Sequence, residues 1–107
     1  MAHLALTLFM FTACRVGDVI RLGPRSEKAI DGIAHLDWQP AKRGSARVTV
    51  PILPPLARAV AAQKLAHPDA YLLTQWGRPF ASPAAFGNKF RDWCAEAKHD
   101  FGNEVRR

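Results

Sequence analysis

An arginine stands where two apolar stretches of the chain meet, and this restricts the folds that the sequence can adopt. Residues 4–11 are almost wholly apolar, and from Val16 onward apolar residues recur at helical spacing. Arg15 is therefore predicted to lie between two packed helices. Because arginine keeps its charge in proteins, such a position is costly unless a carboxylate or a bound anion satisfies its donors. Asp18 is the candidate carboxylate, so Arg15 is either half of a structural ion pair or part of an anion site.

The charge balance narrows the range of partners. Lysine and arginine outnumber aspartate and glutamate by 15 to 9, which gives a formal net charge of +6. This favours nucleic acid or an acidic membrane surface as a partner, although a basic soluble protein without such a partner has the same balance. With 107 residues, of which 49% are apolar, the chain is long enough for one small folded domain.

The cysteines and the N-terminal apolar run bear on the cellular setting. Cys14 and Cys94 are far apart, and neither has a second cysteine or a histidine at metal-ligand spacing. We therefore expect reduced thiols, a cytoplasmic location and no metal. The apolar run lacks the lysine or arginine that precedes it in a secretory signal, and it is too short to cross a bilayer, so no membrane anchor is expected.

The first half of the chain is predicted to contain two helices and a β-hairpin. The first helix begins at Met1 with no capping residue before it, as if the chain had been cut there, and Gly23-Pro24 ends the second. A turn signal at Asp31-Gly32 precedes a strand over residues 33–38. Residues 41–45 form the hairpin turn, and alternation over residues 46–50 predicts the returning strand.

The second half is predicted to be mainly helical. Pro54-Pro55 opens a helix that reaches Leu65, residues 71–74 form a short buried strand, and Ser82-Pro83 starts a helix whose aromatic residues share one face. The helical pattern stops at residue 98. We therefore predict an α+β fold, mainly helical, with a small antiparallel sheet around a hairpin at residues 33–51. Residues 1–97 form one domain, and residues 98–107 form a divergent polar tail.

The hairpin turn is a second candidate site. It carries Lys42 and Arg43, Arg47 follows on the next strand, and no acidic residue lies between Trp38 and Arg47. Such a tip can reach a phosphate, and it can equally be a solvated turn that happens to be basic.

Together, these segments resemble the first half of the catalytic domain of tyrosine recombinases, the phage integrase family. Residues 12–18, TACRVGD, are similar to the family's Thr-Gly-x-Arg-x-x-Glu box, with Ala13 in place of glycine and Asp18 in place of glutamate. Lys42 falls where the family has a catalytic lysine on a hairpin turn, and residues 50–52, VPI, resemble the Val-Pro-Leu that closes that hairpin. The segments at 71–73 and 77–80 and the helix after Ser82 follow the family order, so the resemblance covers residues 1–97.

The resemblance implies site-specific DNA recombination and integration, in which a tyrosine attacks a phosphodiester to give a 3′-phosphotyrosyl link. It implies that Arg15 holds the non-bridging oxygens and that Lys42 supplies a proton to the departing 5′ oxygen. Asp18 would orient Arg15 from behind, and Arg43 and Arg47 would contact DNA. No metal or nucleotide cofactor is implied. Double-stranded DNA is the expected partner, through its phosphate backbone, with other recombinase protomers as further partners.

Several parts of the family pattern are missing from the chain. The His-x-x-Arg box has no counterpart, since Gly102 stands three residues after His99, and Tyr71 precedes an apolar strand, where a packed residue is expected. We therefore expect a truncated recombinase that does not cut DNA alone. The alternatives are a non-catalytic basic module that binds DNA or pairs with an intact recombinase, and a decayed reading frame.

In such a partial domain we expect some apolar surface to be exposed at Leu8, Phe9, Phe86, Phe90 and Trp93.

Overall fold

The computed structural model describes residues 1–105, with the side chains of residues 1–96. Four α-helices and a three-stranded antiparallel sheet make up the described part, which is an α+β fold as predicted. The helices are α1 (Ala2–Thr12), α2 (Val16–Val19), α3 (Pro54–Ala61) and α4 (Pro83–Val105). The strands are β1 (Glu27–Ile30), β2 (Ile33–Trp38) and β3 (Val48–Pro51), and a short 3₁₀ helix (Pro24–Ser26) precedes β1.

The apolar helix α1 is a central element of the core. Leu4, Ala5 and Leu8 are fully buried, and α1 packs against both α3 and α4. The helix ends where Ala13 adopts the left-handed conformation, with φ of 53°, and donates its N–H to Phe9 O at 3.0 Å. This reversal redirects the chain, so that Arg15 lies at the start of α2 in an extended conformation.

The sheet has the order β1-β2-β3, and the predicted hairpin is its second half. Val48 pairs with Trp38 and Val50 with Leu36, so the valines of β3 share one face, as their alternation predicted. Strand β3 begins at residue 48, not at 46. Strand β1 was not predicted at all, and it joins β2 through Asp31 and Gly32, whose φ angles of 53° and 77° suit a tight two-residue turn.

The aromatic face of α4 packs against the core next to α1. Phe86 is buried at 1% exposure and lies within 6.3 Å, ring centre to ring centre, of Phe9, Phe80, Phe90 and Trp93. The expected exposed patch is therefore wrong for Leu8 and Phe86, which are buried. Phe9, Phe90 and Trp93 are half-buried. The α4 backbone remains helical to Val105, beyond the predicted end at residue 97, and the rest of the predicted tail lies outside the described residues.

The segment 70–73 is buried but does not form the predicted strand. Tyr71 donates its N–H to Leu22 O at 2.8 Å, and one isolated bridge joins Leu73 to Pro79, where a strand over residues 71–74 was predicted. The segment passes so close to Gly23 that a Cβ atom there would lie 2.5 Å from Ala70 N. Because a glycine occupies the crossing, the buried backbones can approach directly.

Two helices are shorter than their sequence patterns predicted. After Val19, α2 gives way to turns that reach Leu22, and α3 ends at Ala61 before Leu65. Within residues 1–105, no helix combines the length and the apolar character needed to span a membrane.

Candidate functional site

A cleft of about 300 Å³ brings the arginine segment and the basic hairpin turn together. One wall is the end of α1 and the start of α2, and the other is the turn between β2 and β3. Its lining includes Arg15, Asp18 and Lys42, three of the residues that the sequence singled out. Arg43 and Arg47 are not among the lining residues.

Arg15 is positioned by the backbone at the start of α2. Arg15 O accepts hydrogen bonds from the N–H groups of Asp18, at 3.0 Å, and of Val19, at 2.9 Å. Its side chain is exposed, and among the side chains of residues 1–96 no carboxylate lies within ion-pair distance of it. The alternative in which Asp18 pairs with Arg15 is therefore wrong, and Arg15 lines the cleft without a carboxylate partner among residues 1–96.

Asp18 is buried, at 6% exposure, and it binds the opposite wall of the cleft. Its Oδ1 accepts a hydrogen bond from the N–H of Ala41 at 2.9 Å, and the Arg21 guanidinium lies 3.4 Å from the same oxygen. Ala41 is the residue before Lys42, so the carboxylate ties the lysine-bearing turn to α2. The hydrogen bond from Ala41 to the buried carboxylate therefore contributes more to stability than the long contact with the exposed Arg21.

The turn that carries Lys42 is closed by its own hydrogen bonds. Ser45 donates its N–H to Lys42 O at 3.2 Å, and the Gln39 side chain donates to Ser45 O at 2.8 Å. Gly44, with φ of 82°, supplies the left-handed residue that the turn requires. Lys42 and Arg43 are both exposed, but only Lys42 is among the residues that line the cleft.

Arg47 is held on the sheet rather than in the cleft. Its Nε donates to Asp37 Oδ1 at 2.9 Å, and the Thr49 hydroxyl donates to the same oxygen at 2.9 Å. These hydrogen bonds lower the pKa of the Asp37 carboxyl below its usual value. The guanidinium of Arg47 is therefore already partly satisfied by a neighbouring strand.

Tyr71 is a packed residue, as its sequence context predicted. It is 6% exposed, and its hydroxyl donates to Glu27 Oε2 at 2.7 Å. Burial, followed by the bond to the carboxylate, raises the pKa of the Tyr71 phenol well above its usual value. A phenol that is buried and held protonated is a poor nucleophile.

Sequence reasoning missed the residues that complete the cleft. Cys14, the residue before Arg15, lines the cleft, and burial raises the pKa of its thiol. Trp38 also lines the cleft, and its indole N–H is buried with no acceptor within the described part of the chain. Cys14 precedes Arg15, and Trp38 ends the predicted strand 33–38. Proximity along the sequence was therefore the only signal for these two residues.

The residues that line the cleft have a chemistry that suits an anion. It presents a guanidinium and an ammonium group from separate segments, and the one carboxylate that lines it is bound to the backbone. Within residues 1–96, no group of three histidine, cysteine, aspartate or glutamate side chains is arranged to hold a metal ion. Comparisons with protein-family models, with curated proteins and with solved structures gave no match to this chain.

Proposed function

We propose that this chain binds the phosphate backbone of double-stranded DNA in the Arg15–Lys42 cleft, as a partial catalytic domain of the tyrosine recombinase type. One observation carries the proposal: the two cations that the resemblance names share one cleft, and neither has a carboxylate partner among residues 1–96. A concave site with two such cations is suited to a phosphodiester, whose non-bridging oxygens accept charge-assisted hydrogen bonds. The net charge of +6 supports a polyanionic partner.

The proposed roles follow from the chemistry of the two side chains. The fork of donors on Arg15 matches two phosphate oxygens, and the flexible ammonium of Lys42 would pair with the same phosphate. The catalytic roles that the resemblance implies, charge stabilisation by Arg15 and proton donation by Lys42, would need a nucleophile from another protomer. Asp18 positions the lysine turn through Ala41, a role different from the one that the resemblance implied. Arg43, at the exposed part of the turn, and Arg47, already paired with Asp37, would add weaker contacts.

We further propose that the chain binds DNA without cleaving it. The sequence holds no His-x-x-Arg box, and its one tyrosine is buried and bound to Glu27. Without a nucleophile, no covalent intermediate can form, whatever the other groups contribute. The role is therefore that of a DNA-binding module, which matches the non-catalytic alternative considered for the sequence.

DNA titrations at two salt concentrations test the binding proposal. Duplex affinity should fall steeply as salt rises, and Arg15→Ala and Lys42→Ala should each weaken binding and reduce the salt slope by about one. Arg25→Ala is the matched control, since Arg25 is equally cationic and exposed but lies 2.8 Å from Asp69 and outside the cleft. Binding that ignores salt, no binding at low salt, or an equal loss in the control would contradict the proposal.

The absence of cleavage is tested with a nicked suicide substrate on a denaturing gel. We expect no shifted protein-DNA band, because the chain lacks a reachable nucleophile. A band that disappears in Tyr71→Phe would show that the tyrosine does react. A band that survives both Tyr71→Phe and Arg15→Ala would come from a contaminating recombinase.

A further inference from the structure

Trp76 is a strongly exposed tryptophan, with 79% of its surface accessible, on a turn that is closed by backbone hydrogen bonds. Thr74 donates its N–H to Arg78 O at 2.8 Å, and Gly77 donates its N–H to Thr74 O at 2.9 Å. The Thr74 hydroxyl also accepts a hydrogen bond from the N–H of Trp76 at 3.3 Å. An indole usually contributes a large apolar area to a core, so an exposed one on a fixed backbone is a feature that packing does not explain.

A second cleft, of about 370 Å³, lies between this turn and α4. Phe80, at 9% exposure, contributes apolar surface, and Trp76 forms one side. The other side is α4, where Asp92 lies about one helical turn after the adjacent residues Asn88 and Lys89. Within residues 1–96, these three side chains make no hydrogen bond or ion pair with one another or with other side chains. The cleft therefore combines an exposed ring with an amide, an ammonium and a carboxylate that are free to meet a ligand.

We propose that this second cleft binds an unpaired nucleobase of single-stranded nucleic acid. The Trp76 indole stacks on the face of the base, which every base offers regardless of sequence. Asn88, which both donates and accepts, and Asp92, which accepts, meet the polar edge of the base. Lys89 neutralises the adjacent phosphate. The site is separate from the duplex-binding cleft and does not depend on it.

The charge of the chain favours a nucleobase over a neutral sugar, which could also stack on an indole. The net charge is +6, and Lys89 lies within the cleft itself. The start of α4 packs against α2. The Pro83 side chain lies 3.8 Å from the position that a Cβ atom on Gly17 would occupy. The second cleft therefore lies on α4, the helix that packs against α2 and so lies near Arg15. A strand of nucleic acid can follow the surface there.

The binding of a short, labelled single-stranded DNA, followed by fluorescence anisotropy, tests the proposal. Trp76→Ala should weaken binding by about fivefold to a hundredfold, the range expected for one lost stacking contact, and Trp76→Phe should retain most of the affinity. Met10→Ala is the matched control, because Met10 is 78% exposed on α1 and lies outside the second cleft. It should bind as the unchanged protein does. Equal binding by Trp76→Ala, or an equal loss in Met10→Ala, would overturn the proposal.

Two further measurements keep the result interpretable. Urea unfolding of Trp76→Ala should match that of the unchanged protein, since the side chain is exposed, and a large loss of stability would overturn the assignment of Trp76 as a surface ligand. A neutral oligosaccharide should not displace the DNA, and displacement would assign the cleft to carbohydrate. Duplex binding should be unaffected by Trp76→Ala and weakened by Arg15→Ala, so failure of either site is recognised separately.

Discussion

Arg15, at the start of α2, and Arg47, just before β3, are both exposed arginines, but their surroundings differ. Arg47 lies 2.9 Å from Asp37 across neighbouring strands, whereas Arg15 faces a cleft and has no carboxylate partner among residues 1–96. The one buried carboxylate near Arg15 is used by a backbone N–H of the opposite wall. The difference shows that carboxylates are available in this region, and that they are placed so as to leave the cleft cationic.

The largest effect is expected when the carboxylate of the cleft is removed. Asp18→Ala leaves the N–H of Ala41 without its acceptor, so we expect a loss of about 1–3 kcal/mol in the free energy of unfolding, measured in urea. DNA binding should weaken as well, because Lys42 is no longer held beside Arg15. Asp18→Asn keeps an oxygen at the same place and should restore most of the stability. If Asp18→Ala were as stable as Asp18→Asn, the bond to Ala41 would be unimportant.

The two cysteines give a smaller effect that reports on the cleft directly. Burial raises the pKa of the Cys14 thiol, so less of it is thiolate at a given pH and its alkylation should be slower than that of the exposed Cys94. The rate for Cys14 should rise only at a pH above the usual range for a cysteine thiol. Mass spectrometry after iodoacetamide treatment measures both rates in one sample.

Duplex DNA sharpens this measurement, since Cys14 lines the proposed phosphate site. Bound DNA should slow the alkylation of Cys14 and leave that of Cys94 unchanged. Protection of Cys94 alone, or of neither cysteine, would place the DNA elsewhere on the molecule.

The smallest effect is expected for the ion pair between Arg47 and Asp37. The folded pKa of Asp37 is lowered, so its pairing contributes stability above the unfolded pKa of about 3.9, and the contribution is lost as pH falls through the folded value. Asp37→Asn should therefore be slightly less stable than the unchanged protein at neutral pH and equal to it in strong acid. Urea midpoints at the two pH values measure this, and a difference that persists in acid would rule out the ionised carboxylate as its source.

The elements that the sequence predicted are those with local signals. Proline at the first positions of α3 and α4, and the alternation of Val48 and Val50, depend only on neighbouring residues. Strand β1 has no such pattern, because three of its four residues are exposed and its order comes from pairing with β2. The turn signal at Asp31-Gly32 was present, but it was interpreted as the start of one strand and not as a link between two.

The sequence predicted that Arg15 and Lys42 lie on one face, but it predicted neither the contacts around them nor the other residues that line the cleft. Arg15 and Lys42 share a cleft, as the order of the two segments suggested. The sequence suggested Arg15 as the partner of Asp18, because helical spacing indicates only the residues three and four positions away. It gives no information on the N–H of Ala41, which is distant in the sequence and is the partner observed. The sequence analysis did not single out Trp76, because its exposure beside α4 is visible only in three dimensions.

The bond between Asp18 and Ala41 has a consequence for how the region can vary in evolution. The carboxylate contacts the backbone N–H of residue 41 and not its side chain, so every amino acid except proline supplies the donor. Proline already occupies position 40, one residue short of the place where it would abolish the bond. Selection that acts on this single bond would therefore restrict position 18 strongly, while position 41 drifts almost freely.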